Sequence, residues 1–190
     1  MLKDLVAKNR SYRRFYESEK ITSEQVKSWI DLARLGASGR NAQTIKYKIV
    51  LSDEMCEEVF KHLAWAGYLK DWAGPEKGER PSAYVIMIND EELGKNYFSD
   101  DGIAVQNLLL GAVESGFGGC IIHAFKNKEL RELLKIEEGY SIIQVIALGK
   151  PKEEVVIEEM KDGDIKYWRD EKGVHHVPKR SIDEIILEEL

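Results

Sequence analysis

Cysteine is almost absent from this chain: Cys56 and Cys120 are the only two among 190 residues, far apart and in no C-x-x-C pair. That excludes a disulfide scaffold and a structural zinc cluster, and it fits a reducing compartment, so the cytoplasm is the expected location. Long apolar runs are missing too. None approaches the roughly 18 uninterrupted apolar residues of a membrane span, and the charged start Met1-Leu2-Lys3-Asp4 lacks an apolar signal core. No membrane partner is expected. Positive charge is in deficit, at a formal net charge of -6, which argues against nucleic acid, whose binders need a broad basic surface. There is no G-x-x-x-x-G-K-[ST] phosphate loop, no internal repeat and no low-complexity tract. What remains is 43% hydrophobic and 33% charged residues, a composition that folds rather than stays disordered. The length suits one domain, residues 1–190.

Against this acidic background stands Asn9-Arg10-Ser11-Tyr12-Arg13-Arg14-Phe15, with three arginines and a serine in five residues. Guanidinium forks match a phosphate in shape and charge, and a serine hydroxyl completes such a cradle. The alternative is a solvated basic loop.

Hydrophobic spacing organises the rest of the chain. Residues 2–9 suit a short helix. Thr22 with Gln25 forms a capping box ahead of Val26, Trp29, Ile30, Ala33 and Ala37 at helical spacing. A small-residue loop, Leu35-Gly36-Ala37-Ser38-Gly39-Arg40-Asn41, ends that helix. Tyr47 to Leu51 reads as a strand, and Ser52 caps a second helix carrying Met55, Val59, Phe60 and Leu63. Trp65 to Pro81 is irregular, with Trp65, Tyr68 and Trp72 at near-helical spacing. Ala83 to Asn89 is so continuously apolar that it reads as a buried strand. The Asp101 to Ser115 helix is apolar on most sides, which places it in the core or in a subunit interface. Cys120 to Ile122 is a short strand, 127–135 a helix and Ser141 to Leu148 a strand. Beyond Gly149-Lys150-Pro151 the chain turns charged, with strand-like pieces at 155–157, 165–168 and 174–177 and a last helix capped by Ser181 and Glu184. Residues of about 152–190 thus form an extended tail with little core of its own, expected to pack along another surface. Interleaved helices and strands indicate α+β or α/β architecture around one sheet.

Few residues suggest acid–base or nucleophilic chemistry. Gly116-Phe117-Gly118-Gly119 closes a helix, whereas a dinucleotide-binding turn follows a strand and opens one. His175 and His176 are adjacent, so an extended backbone points them to opposite faces and away from a shared metal. His62 is expected to be partly exposed. Pairing His123 with Asp100 or Asp101 on a metal is the weaker reading, since Asp101 suits the first turn of its helix; no metal site is assigned. Cys120 reads as a buried, inert thiol, and no nucleophile turn of a hydrolase triad is present.

Five stretches in order are more telling: Arg10-Ser11-Tyr12-Arg13-Arg14-Phe15; Ser38-Gly39-Arg40-Asn41-Ala42-Gln43; Asp101-x-x-x-x-Gln106-Asn107; Gly116-Phe117-Gly118-Gly119-Cys120-Ile121-Ile122-His123; and Ala147-Leu148-Gly149-Lys150-Pro151. This succession resembles the nitroreductase family of flavin enzymes along essentially the whole chain. The resemblance implies an α+β fold with a central, mainly antiparallel sheet flanked by helices and a tail packing on the partner subunit. It implies flavin mononucleotide (FMN) as cofactor, with Arg10, Ser11 and Arg13 at the phosphate and ribityl end and Ser38, Asn41 and Gln43 near the ribityl chain and ring edge. Ile122, His123 and Ala124 would lie against the ring, a backbone amide there donating to its redox nitrogen. Lys150, or Lys179 or Arg180 in the tail with Arg180 first, would add phosphate charge, and Gln106 and Asn107 would stand on the interface helix. Arg14 has no counterpart and is expected to be solvated. Thr44-Ile45 replaces the family's usual Pro-Trp, so packing there must differ. Trp65, Tyr68 and Trp72 fall where residues roofing the flavin's open face often lie, or else are core aromatics.

The activity so implied is hydride transfer from NADH or NADPH to FMN, then reduction of an electron-poor small molecule, nitroaromatic or quinone-like, by a ping-pong mechanism in a homodimer with FMN at the interface. A non-catalytic flavin-binding sensor or carrier is the alternative. In either case the flavin carries the chemistry, so no catalytic side chain is assigned.

Overall fold

The apolar runs Ala83–Ile88 and Val145–Leu148 become parts of the two central strands, and each is covered on both faces. In the computed structural model, which describes residues 1–190, the helices are α1 (Leu2–Lys8), α2 (Ser23–Arg34), α3 (Asp53–Phe60), α4 (Asp100–Glu114), α5 (Asn127–Leu133) and α6 (Ile182–Ile185). The strands are β1 (Ile45–Val50), β2 (Ala83–Asp90), β3 (Gly118–Ile122), β4 (Tyr140–Gly149), β5 (Val155–Glu159), β6 (Trp168–Arg169) and β7 (His175–Lys179). A four-stranded sheet has the order β1-β2-β4-β3, with every neighbouring pair antiparallel. The fold is α+β, as the resemblance implies.

Side chains alternate across this sheet. Ala83, Val85, Met87, Ile146 and Leu148 join Val26 and Trp29 of α2 and Val105, Leu108 and Leu109 of α4 in one core. Tyr84, Ile86, Ile88, Val145 and Ala147 join Cys56 and Val59 of α3 and Leu130 of α5 in a second core on the opposite face. A bulge where Met87 faces Gln144 and Ile88 faces Ile142 keeps both patterns in phase along β4. The apolar helix α4 therefore belongs chiefly to the core of this chain, although Ile103 remains 37% exposed.

Local chemistry sets the helix ends. The Thr22 hydroxyl accepts from the Gln25 N–H at 3.2 Å while the Gln25 side chain accepts from the Thr22 N–H at 2.9 Å. Ser52 caps α3 by accepting from the Met55 N–H at 3.3 Å, and Ser181 with Glu184 forms the box that starts α6. β1 begins two residues earlier than its apolar run suggests, because Ile45 pairs with Asn89 on β2 and Thr44 accepts from the Asp90 N–H at 2.9 Å. The stretch from Trp65 to Trp72 is irregular, as its sequence suggests, and forms turns.

The tail makes its own three-stranded sheet, in the order β5-β7-β6 with β5 and β7 parallel. Of the 165–168 piece only Trp168 pairs as strand, together with Arg169 just beyond it, Ile165 being 54% exposed. No apolar side chain is buried beyond residue 150; the two buried residues there are Glu153 and His175. Ion pairs and polar contacts, made largely with the arginine loop of the same chain, hold this sheet in place.

Candidate functional site

Residues 10–15 run as an extended loop beside the ends of β3 and β4. The Tyr12 N–H donates to the Gly119 carbonyl at 3.0 Å, the Tyr16 N–H to Lys150 at 2.9 Å, and the Lys152 N–H to Arg14 at 2.9 Å. Two glycines permit this approach. A Cβ on Gly118 would sit 2.6 Å from the Tyr12 ring, and one on Gly149 would sit 2.6 Å from the Phe15 ring, which is fully buried. Three of the ordered stretches are thus one structural unit, the later two supplying the glycine floor on which the first lies.

The three arginines have different fates. Arg14 is paired: its Nε lies 2.5 Å and its Nη2 2.7 Å from the Glu79 carboxylate, which also meets Lys152 at 2.8 Å. The hydrogen bond from Arg14, helped by Lys152, holds the Glu79 carboxyl down at about 2. The expectation of a solvated Arg14 is corrected: its side chain is 29% exposed and fixed to Glu79, a partner that lies too far along the sequence for local spacing to mark. Arg10 and Arg13 pair with no carboxylate through their guanidinium groups. Arg10 donates to the Val6 carbonyl at 2.9 Å, and its buried Nε has no partner. Arg13 donates to the Ser11 carbonyl at 3.2 Å and lies 3.3 Å from His175 Nε2. A guanidinium can only donate, so Nε2 accepts and the proton sits on Nδ1. His175 is neutral, pushed down to about 4 by burial and by the positive charges of Arg13, Arg169 and His176.

Glu153 fixes the loop from beneath. Its fully buried carboxylate accepts from the backbone N–H groups of Arg13 and Arg14 and from Arg169 Nη2 at 3.0 Å. Glu79, Glu153, Tyr167, Arg169 and His175 were not among the site residues read from the sequence, and no spacing pattern singles them out in a charged tail and loop.

Arg13 opens onto a hollow of about 300 Å³ that it lines with Trp65, Ile122, His123, Ala124 and Tyr167. The segment leading to Trp65 is tied to the end of β3, because the Ala64 N–H donates to Ala124 at 2.8 Å and the Lys126 N–H to His62 at 2.9 Å. Pairing between β3 and β4 ends at Ile122, and the N–H groups of His123 and Ala124 beyond it donate to nothing in the chain. Buried Cys120 also lines this hollow, its thiol pushed up by burial, in keeping with an inert core cysteine.

Ser38, Asn41 and Gln43 line a different hollow, of about 360 Å³, together with Asp100, Lys46 and Tyr47. Its order comes from buried Asp100, which accepts from Ser38 Oγ and the Gly39 N–H, each at 2.7 Å. Arg40, Asn41 and Gln43 all have positive φ, near 56°, 54° and 51°. Such backbone strain in non-glycine residues is concentrated at functional loops. Within one chain this turn and the arginine loop line separate hollows.

Other expected residues scatter. Gln106 sits beside the arginine loop, accepting from Asn9 Nδ2 at 3.3 Å, while Asn107 donates to the Leu32 carbonyl. Lys150 faces Glu19 at 3.5 Å, and Arg180 faces Glu184 at 3.4 Å within the cap of α6. Ser11 is exposed at its bridge to Gly119. Trp65 is buried, Tyr68 is half exposed beside Tyr167, and Trp72 lies under Arg169 at 4.2 Å.

Comparison with known proteins supplies relatives. The sequence profile described as "Nitroreductase family" matches residues 6–150. A candidate NADH dehydrogenase/NAD(P)H nitroreductase of Archaeoglobus fulgidus is 27% identical over 149 residues, 74% of this chain and 80% of that protein. The crystal structure of a nitroreductase family protein from Streptococcus pneumoniae superposes over 100% of both chains with a TM-score of 0.68 at 19% identity. An FMN-dependent nitroreductase from Clostridium difficile covers 84% of this chain and 90% of its own, with a TM-score of 0.63 at 22% identity.

Proposed function

The chain belongs to the nitroreductase family, and from that premise we propose that it is an NAD(P)H-dependent oxidoreductase that holds FMN and reduces an electron-poor acceptor such as a nitroaromatic or a quinone. The observation that carries this reading is the pair of guanidinium groups, Arg10 and Arg13, left without a carboxylate in an acidic protein while Arg14 beside them is neutralised. A doubly charged phosphate is the ligand that such a pair fits. The orphaned Arg10 Nε is a second sign of a missing acceptor. The names of the Archaeoglobus and Clostridium relatives, which specify NAD(P)H and FMN, agree with it.

The chain's own groups then have distinct tasks. Arg10 and Arg13, with Ser11, would hold the phosphate; Glu153 fixes the backbone of Arg13 and so the direction from which that charge is offered. The free N–H groups of His123 and Ala124 would orient the ring edge and favour negative charge developing there. Bound in this site, FMN would supply the redox chemistry, accepting hydride from NAD(P)H and passing electrons to the acceptor in ping-pong order. Trp65 and the apolar end of β3, which line the hollow, would limit the access of water to the ring.

The separation of the 38–43 turn from the arginine loop favours a homodimer in which a second copy brings its turn to the first copy's hollow. Apolar surface for such an interface is present: Leu35 is 65% exposed, and Ile182, Ile185 and Leu187 of the tail are 62%, 60% and 99% exposed. A monomer by light scattering with flavin bound would contradict this assembly. The purified protein should be yellow and should oxidise NADH or NADPH when an acceptor is added. Replacing Arg10 and Arg13 together by alanine should weaken FMN binding by about 100-fold or more, since each hydrogen bond to a charged group contributes about 1.5–3 kcal/mol. Arg14→Ala should leave binding within a few-fold. A colourless protein that cannot be reconstituted with FMN would refute the assignment.

A further inference from the structure

Tyr167 belongs to the tail, yet its ring lines the hollow that Arg13, Trp65 and the end of β3 enclose. Three contacts hold it there. The Arg13 guanidinium lies over the ring, 4.9 Å from its centre. Tyr68 packs at 4.9 Å and donates its backbone N–H to the Tyr167 hydroxyl at 3.4 Å. His175, 1% exposed, packs at 5.1 Å. Neither aromatic neighbour is stacked parallel on the ring, their planes being inclined by 56° and 44°. Just beyond the residue the tail is fastened to the 153–154 segment, through Arg169 on the buried Glu153 carboxylate at 3.0 Å and through the His175 N–H, which donates to the Glu154 carbonyl at 2.9 Å.

A hollow with Trp65 on the loop side and Tyr167 on the tail side suits a flat aromatic ligand, because aromatic pairs add attraction beyond the area they cover. We propose that Tyr167 is a binding residue of this site, the wall that contacts the planar ring of a bound flavin. The ring of Tyr167 carries this role and the hydroxyl only positions it. Since the tail anchors fix the ring beforehand, little side-chain freedom is lost when the ligand enters. The proposal rests on the flavin reading above and adds to it a residue from outside the matched 6–150 region.

Binding of FMN and of riboflavin, which lacks the phosphate, to the apoprotein tests it, read by quenching of flavin fluorescence in the wild type, Tyr167→Phe and Tyr167→Leu. Hydrogen exchange of the β7 amides reports in parallel whether the tail stays folded. Tyr167→Phe should bind both flavins within about twofold of wild type. Tyr167→Leu, which keeps apolar bulk but not the plane, should bind both about three- to tenfold more weakly with tail protection retained. Three outcomes would overturn the proposal: unchanged binding in Tyr167→Leu, a loss for FMN alone, which would reduce Tyr167 to a support for Arg13, or a loss only in proportion to tail unfolding. A wild-type protein that binds neither flavin would instead overturn the flavin reading itself, and Tyr167 with it.

Discussion

The central sheet and the tail sheet are held together by different physics. Strands β2 and β4 bury apolar side chains on both faces. In the tail the two buried residues are ionisable, Glu153 and His175, and the sheet around them is secured by Arg169, Arg13 and the pair between His176 and Glu158 at 2.8 Å. Apolar burial is non-directional and insensitive to pH. A buried carboxylate or imidazole is favourable only while its specific partners are in place. The sheet should therefore be the stable scaffold and the tail the part that opens first, although both border the hollow.

The largest effect should come from the scaffold. Leu108→Ala removes a fully buried side chain between α4 and the sheet, and a loss of about 2–5 kcal/mol in global unfolding free energy is expected by urea titration. Glu153→Gln should cost less, about 1–3 kcal/mol, and should act locally. Exchange of the β5 and β7 amides should accelerate while that of β2 and β4 holds. Were the central sheet to open in step with the tail, the two regions would be one cooperative unit and the contrast would fail.

The smallest effect is a dependence on pH confined to the tail. His175 is held at about 4, below its ordinary 6.5, chiefly by burial. Its neutral form is the folded form, so its contribution is full above about 6.5 and is lost as pH falls toward 4. His176 is raised instead, first by Glu158 and then by Asp170; its contribution is full below 6.5 and is lost as pH rises through its elevated value. Tail protection, corrected for intrinsic exchange, should thus peak near pH 6.5. Glu79, held at about 2, keeps its contribution above its ordinary 4.5 and loses it only as pH falls from there toward 2, so the Arg14 anchor should outlast the tail on acidification. Tail protection that is flat from pH 4 to 8 would remove this distinction.

Much of the architecture was legible in the residues themselves. The capping pair Thr22 and Gln25, the run from Ala83 to Asn89 and the breaks at Gly116 and Gly149 all act within a few residues, where propensity and spacing operate. The candidate site was only partly legible. Arg10 and Arg13 stand out because local charge opposes the net charge, and residues 122–124, which line the hollow beside Arg13, were singled out only by the family resemblance. Glu153, Tyr167 and His175 left no such mark, since their roles arise from contacts across more than a hundred residues of chain. The same distance hid the fate of Arg14, whose partner Glu79 lies in an irregular loop.

By itself, then, the sequence determined an acidic protein of interleaved helices and apolar strands, with a basic loop near its start, because alternation, capping and composition are local properties. Tertiary structure alone decided which two of the three clustered arginines stay free of a carboxylate, and which tail aromatic faces the hollow. Those choices depend on where distant segments come to lie, and on burial that fixes each polar group to one partner or leaves it open to a ligand.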